Sequence, residues 1–191
     1  MRSGRLEAFS DGVMAILITI MVLELKVPEG ATLDALKPLF PVFLTYVLSF
    51  VYLGIYWNNH HHMLHTTEQV NGRILWANLH LLFWLSLIPF ATAWMGENHF
   101  SQWPVALYGT ILFLAAIAYF ILVRALLTLH GPNSLLANAL GSDFKGKISI
   151  VVYVVAIPLA FVRPWMACGF YILVAVMWLV PDRRIERQIG N

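Results

Sequence analysis

Six runs of apolar residues follow one another along the chain, separated by short polar segments. Their approximate limits are 6–25, 38–57, 74–95, 103–126, 148–163 and 165–181. A helix needs about 20 apolar residues to cross the hydrocarbon core of a bilayer. The pattern therefore predicts an all-α integral membrane protein with six transmembrane helices, and the short loops predict that residues 1–191 form a single domain.

Prolines modify two of these predicted helices. The fifth and sixth runs are short and are separated only by "VRPW" (162–165), in which Pro164 disfavours a helical conformation at Arg163. These two runs are therefore predicted to form a hairpin. In the third run, Pro89 is predicted to kink the helix, and the polar residues Asn78, His80, Ser86 and Thr92 are predicted to bond to neighbouring helices.

The composition agrees with a membrane protein. Hydrophobic residues make up 60% of the chain and charged residues 12%, against roughly 25% charged residues in a soluble domain. The mean hydropathy is +0.74. Nothing in the charge pattern suggests a nucleic-acid partner, and the single Cys168 cannot form an intrachain disulfide.

The positions of Lys and Arg predict the orientation in the membrane. If the amino terminus is inside, nine basic residues lie on the inner side: Arg2, Arg5, Arg73, Arg124, Lys145, Lys147, Arg183, Arg184 and Arg187. Three lie outside: Lys26, Lys37 and Arg163. Because cytoplasmic loops carry the excess of Lys and Arg, both termini are predicted to be cytoplasmic, in a multi-pass protein of the cell membrane (plasma or inner membrane).

The first run, "RLEAFSDGVMAILITIMVLEL" (5–25), places charges at the start of a membrane span. At about 100° per residue, one face of this helix carries Arg5, Phe9, Ile16, Ile20 and Leu23. Ser10 and Asp11 point elsewhere. A helix capped at Asp11 would be too short for a core of about 30 Å, so Asp11 is predicted to lie inside the helix, where an ionisable group marks a functional site. Ordinary helix packing is the alternative explanation of this spacing.

The second run ends in a cluster of histidines and asparagines, "YWNNHHHMLH" (56–65). His61 and His65 are four residues apart, as two metal ligands on one helix face would be. A di-iron enzyme of the membrane needs several such boxes, however, and a haem would have only His80 as a partner. The cluster is more simply a hydrogen-bonding hub for Ser10 and Asp11, or a polar collar at the lipid headgroups formed by His60, His62 and His65. Trp57 is predicted to belong to an interfacial aromatic belt.

Several kinds of functional motif are absent from the sequence. It contains no glycine-rich phosphate loop, no carbonyl filter of the TVGYG kind, no Ser/His/Asp set and no series of spaced arginines. It also lacks the paired broken helices expected of a coupled transporter.

Three segments resemble a known family. "RLEAFSDGVMAI" (5–16) is similar to the Arg-x-x-x-Phe-Ser-Asp signature of the transmembrane protein 175 family, the endolysosomal potassium channels and their bacterial relatives. "IYWNNHHHMLH" (55–65) and "LLFWLSLIPFATA" (81–93) resemble the second and third spans of that family. The third histidine of the cluster departs from relatives that more often carry a basic residue there.

The resemblance implies a potassium-selective leak channel rather than an enzyme, with permeant K⁺ and no cofactor or metal. It implies a homotetramer in the lipid bilayer whose four first helices line a central pore. The offset from the Phe-Ser-Asp triplet puts the constriction on an apolar stripe of Ile16, Ile20 and Leu23, beside Thr19. An interhelical polar network would include Arg5, Phe9, Ser10, Asp11, Asn59 and His61. The alternatives are an ion-coupled or proton-conducting transporter and, third, a histidine-ligated membrane metalloenzyme.

Overall fold

The computed structural model describes residues 3–67, 69–131, 134, 136–137 and 144–179, and its architecture is helical. The helices are α1 (Gly4–Leu23), a 3₁₀ helix (Leu33–Leu39), α2 (Phe40–His65), α3 (Gly72–Ser86), α4 (Ile88–Glu97), α5 (Gln102–His130), α6 (Phe144–Leu159) and α7 (Pro164–Leu179). Arg2, Arg183, Arg184 and Arg187, which contribute to the predicted orientation, lie outside the described residues, as do residues 180–181 of the sixth run.

Each of the six apolar runs falls largely on helix. Within the described part of the chain, four segments are long and apolar enough to cross a membrane: Gly4–Leu23, Leu33–His65, Gly72–Glu97 and Gln102–His130. The helices α6 and α7 have 16 residues each. At 1.5 Å per residue this is about 24 Å, less than the hydrocarbon core of about 30 Å.

The second helix is longer than predicted, because α2 continues to His65 instead of ending near residue 57. Neither proline nor glycine occurs between residues 58 and 65, so the backbone has no reason to leave the helical conformation when the side chains become polar. The whole histidine cluster therefore lies on the last two turns of α2.

The kink predicted at Pro89 is a break between two helices. The third span divides at Leu87 into α3 and α4, with Pro89 in the first turn of α4, where its missing N–H breaks no intrahelical bond. Likewise, α6 and α7 form the predicted hairpin, in which the Arg163 N–H donates to Leu159 O at 2.8 Å and Pro164 begins α7.

The core is centred on α5, which packs against α3, α4, α6 and α7. The helix α1 lies at the side of this bundle and packs on α2, α3 and α4. Its buried residues recur at intervals of three or four along one face: Leu6, Ser10, Met14, Leu17 and Met21. One face of α1 is therefore anchored to the bundle, and the opposite face is left uncovered by the described residues.

Candidate pore helix and its anchors

The uncovered face of α1 carries the predicted apolar stripe. Ile16, Ile20 and Leu23 are 57%, 42% and 77% exposed. Met14, Leu17 and Met21 lie on the buried face. The helical period therefore places the exposed apolar residues and the buried ones on opposite sides of α1. The single subunit thus presents a row of large apolar side chains that no part of its described chain covers.

Thr19 lies on the same uncovered face, and its hydroxyl has a defined orientation. Its Oγ1 donates a hydrogen bond to Ile16 O at 2.9 Å. The proton is therefore directed at the backbone of α1, and the oxygen lone pairs are left for another partner. An oxygen held in this way is suited to a cation beside the apolar stripe.

The buried face of α1 is anchored through a chain of hydrogen bonds that crosses three helices. His60 Nε2 lies 2.7 Å from Asn78 Oδ1, and Asn78 Nδ2 donates to Ser10 Oγ at 2.9 Å. Ser10 in turn donates to Leu6 O at 2.8 Å. The amide nitrogen of Asn78 donates to Ser10, so the amide oxygen of Asn78 accepts a hydrogen bond from His60. A neutral His60 therefore carries its proton on Nε2.

These contacts involve a different histidine from the predicted one. The buried imidazole at this anchor is His60, not His61, and it is reached through Asn78 instead of bonding to α1 directly. Asn59 also does not join the anchor, since its Nδ2 donates to Ile55 O of its own helix at 2.8 Å. The reason is helical geometry: successive residues of α2 point about 100° apart, and of Asn59, His60 and His61 only His60 is fully buried and reaches Asn78 on α3.

Asp11 and Glu7 make a second set of contacts with α2. Trp57 Nε1 donates to Asp11 Oδ1 at 3.1 Å, and His61 Nδ1 lies 3.1 Å from Glu7 Oε1. As predicted, Asp11 lies within the helix and faces a neighbouring helix. Its partner is Trp57, which the sequence predicts to belong to the interfacial belt, whereas the sequence pattern assigns no role to Glu7.

A signal for these missed residues is present in the sequence. Glu7 and Asp11 are four residues apart, and so are Trp57 and His61, so that each pair occupies one helix face. When two antiparallel helices bring such faces together, the first acid along one helix meets the second donor along the other. Glu7 therefore meets His61, and Asp11 meets Trp57. For Asn78 the sequence predicts a bond to a neighbouring helix but does not identify its partners, Ser10 and His60.

Arg5 and Phe9 do not join either set of contacts within the described subunit. Both are exposed, on the side of α1 that carries the apolar stripe. Within the described part of one chain, Arg5 and Phe9 therefore have no partner in an interhelical network, and their predicted role there stays a prediction.

The end of α1 opposite to Glu7 is also tied to the bundle. Lys26 Nζ lies 2.9 Å from Glu97 Oε1 at the end of α4. The hydrogen bond and the negative charge of Glu97 raise the pKa of Lys26. Because both side chains are exposed, this pair is screened by salt and contributes little to stability.

The histidine cluster does not have the geometry of a metal centre. The described residues contain no group of three or more His, Cys, Asp or Glu side chains that could hold a metal ion. The rings of His61 and His65 stack at 5.9 Å with an interplanar angle of 19°, so they lie face to face and do not converge on a common point. In this conformation, His61 and His65 are not arranged as two ligands of one metal ion.

The fold and the site define a class of protein: a helical membrane protein whose first helix is anchored on one face and exposes apolar side chains on the other. Residues 5–89 match the family described as "Endosomal/lysosomal potassium channel TMEM175". A potassium channel of Chryseobacterium sp. (strain P1-3) is 59% identical over 189 residues, which cover 99% of this chain and 98% of the relative. The chain belongs to the TMEM175 family, a family of ion channels and not of enzymes.

Two further comparisons concern the fold and the permeant ion. The crystal structure of a lysosomal potassium-selective channel TMEM175 homolog from Chamaesiphon minutus is similar with a TM-score of 0.81 and 28% identity. The match covers 93% of this chain and 96% of that one. The human relative, described as "Endosomal/lysosomal proton channel TMEM175", is 33% identical over 132 residues, which cover 59% of this chain and 26% of that protein.

Proposed function

We propose that this chain is a potassium-selective leak channel, that its residues 1–191 act as one six-helix unit, and that four copies form a central pore lined by α1. The observation that carries the proposal is the two-faced α1. One face is fixed by buried hydrogen bonds through Ser10, and the other exposes Ile16, Ile20 and Leu23. The potassium channel of Chryseobacterium, which matches almost the whole chain, supports the choice of ion.

The apolar stripe would act as both gate and filter. A ring of apolar side chains opposes entry of water and requires an ion to lose part of its hydration shell. This loss costs less for potassium than for the more tightly hydrated sodium. The Thr19 oxygen, whose proton is used by Ile16 O, would replace part of the lost hydration.

One cavity inside the described part of the subunit is too small to serve as an ion path. A cavity between α2, α5, α6 and α7, lined by Tyr52, Tyr56, Asn59 and Tyr153 among others, has a volume of about 40 Å³. One water molecule needs about 10–15 Å³ of such space, so this cavity holds only a few. A conducting path is therefore expected between subunits, on a symmetry axis.

The membrane and the orientation are part of the same proposal. The apolar helices place the protein in a lipid bilayer, and we propose the plasma or inner membrane with both termini cytoplasmic. The excess of Lys and Arg on that side supports this orientation. In it, Glu7 and His61 lie at the inner end of the pore and Lys26 and Glu97 at the outer end.

Proton conduction is a second candidate, favoured by the description of the human relative as a proton channel. An ion-coupled transporter has less support. Transporters that work by alternating access typically have broken helices in matching halves of the chain. The break at Leu87 has no counterpart in the described residues of the second half.

Flux through the purified protein in liposomes tests the function. We expect potassium to pass down its gradient without a second substrate, and sodium to pass more slowly. Saturable flux that depends on a co-ion would support the transporter. A pH change inside the liposomes that persists without potassium would support the proton channel.

A further inference from the structure

The cavity between α2, α5, α6 and α7 lies apart from both the exposed stripe and the anchored face of α1. Five of its lining residues carry aromatic rings: Tyr52, Tyr56, Tyr119, Tyr153 and Trp178. Among the residues that the structure describes, the lining includes no charged side chain and no residue of α1. The cavity is therefore an aromatic, uncharged space that is separate from the proposed pore.

The size of the cavity limits what it can hold. Its volume of about 40 Å³, at about 10–15 Å³ for each water molecule, admits about three or four waters. In the liquid, this number of waters fills about 90–120 Å³. A single aromatic ring with one small substituent has a similar volume, whereas a lipid chain does not fit.

Several polar atoms of the lining already have partners within the protein. The hydroxyl of Tyr153 on α6 donates to the hydroxyl of Tyr52 on α2 at 3.1 Å. Trp178 Nε1 on α7 donates to Ser149 Oγ on α6 at 2.9 Å. These two hydrogen bonds connect three of the four helices around the cavity, so they hold its walls together.

Two polar atoms on the α2 side of the cavity have no such partner. Within the described residues, the Tyr56 hydroxyl makes no hydrogen bond, and Asn59 uses only its Nδ2, which donates to Ile55 O at 2.8 Å. Neither the Tyr56 hydroxyl nor Asn59 Oδ1 is fully enclosed, so a small molecule can reach both. Because residues three apart lie on the same side of a helix, these atoms offer a donor and an acceptor on one wall.

Water alone is a poor occupant of this cavity. A buried water makes about three hydrogen bonds, and a group of waters surrounded mostly by aromatic carbon would leave several of them unmade. An aromatic ligand can instead pack its ring edge against the tyrosine faces, as Tyr56 and Tyr119 pack against each other at 6.2 Å and 69°. A charged ligand would meet no opposite charge in the described lining, which makes its burial costly.

We propose that this cavity is a binding site for a small uncharged molecule with one aromatic ring and one hydroxyl group, the chemical class of phenol. The ring lies among the tyrosine and tryptophan side chains. The hydroxyl of the ligand donates to Asn59 Oδ1 and accepts from the hydroxyl of Tyr56. The site thus uses the two polar atoms of the α2 wall that the protein itself leaves without a partner.

Fluorine NMR of the full-length protein in detergent, with para-fluorophenol and fluorobenzene as probes, tests the site. We expect both probes to bind saturably to the wild type and to be displaced by phenol. Tyr56→Phe keeps the ring and removes the hydroxyl, so it should weaken para-fluorophenol about two- to tenfold, the effect of one hydrogen bond, and leave fluorobenzene unchanged. Tyr46→Phe, on the same helix but outside the lining, is the matched control and should change neither.

Ala116→Leu is the second test, because Ala116 lines the cavity and a larger side chain there fills it. Both probes should lose their binding to this variant. Three results would overturn the site: no saturable binding to the wild type, equal affinity of para-fluorophenol for Tyr56→Phe and Tyr46→Phe, or binding that survives in folded Ala116→Leu. If Ala116→Leu does not fold, the comparison of the two tyrosine variants decides. Binding is measured without any ion current, so its outcome is independent of the proposed function.

Discussion

At the scale of single residues, one amide connects α1 to the two helices that anchor it. Asn78 is fully buried and bonds both to Ser10 on α1 and to His60 on α2. An asparagine side chain can do this because it offers a donor and an acceptor on the same carbon. No apolar residue of similar size could satisfy both neighbours.

Asn78→Ala should destabilise the subunit more than Asn59→Ala. The first change leaves the buried Nε2–H of His60 unsatisfied, which costs about 1–3 kcal/mol. The second removes only a bond to Ile55 O of the same helix. Thermal unfolding of the two variants in detergent measures the difference, and equal losses of stability would show that Asn78 is not an anchor.

The apolar stripe leads to a prediction about selectivity. Ile16→Asn should wet the constriction and raise the permeability to sodium relative to potassium, because a polar side chain lowers the cost of hydration inside the ring. Reversal potentials under potassium and sodium gradients measure the ratio. Val22→Asn is the matched control, since Val22 is exposed on α1 but lies about 120° away from Ile16. If both variants change the ratio equally, the stripe is not the filter.

At the scale of the helices, two glycines permit close packing. A Cβ at Gly96 would lie 2.7 Å from the Cα of Val42, so that α4 and α2 approach to backbone contact. A Cβ at Gly109 would overlap the hydroxyl of Tyr171 on α7. Small residues at such crossings allow membrane helices to gain packing energy that lipid does not provide.

Gly109→Ala should therefore destabilise the packing of α5 against α7. The added methyl group must displace the Tyr171 hydroxyl, which donates to Val105 O, and overpacking of this kind costs about 1–3 kcal/mol. Gly54→Ala is the control, because nothing lies within 4 Å of a Cβ there and alanine favours the helix. Unfolding midpoints should fall for Gly109→Ala and stay the same or rise for Gly54→Ala. The opposite order would contradict the packing argument.

At the scale of the whole molecule, the proposed function requires more than one copy. The exposed stripe of α1 supports the proposal that the ion path lies between subunits. Mass measurement of the purified protein in detergent should give about four subunits, the closed ring that the proposed pore requires. A strictly monomeric particle that conducts potassium would refute the central pore.

The sequence by itself determined the helical membrane class, the positions of the apolar runs, the hairpin at Pro164 and the two faces of α1. These follow from local rules: apolar length, the conformational restriction of proline and the helical period all act within one segment. The family signature at Arg5, Ser10 and Asp11 is of the same local kind. It identifies the helix that we propose to line the pore, without identifying the partners of those residues.

The tertiary structure alone decided which polar groups meet. His60 and His61 are adjacent in sequence and chemically identical, yet one is buried against Asn78 and the other pairs with Glu7. The choice between them depends on the rotation of α2 about its axis and on its register against α1 and α3. Rotation and register are set by the packing of many side chains across helices, so a segment of sequence cannot specify them alone.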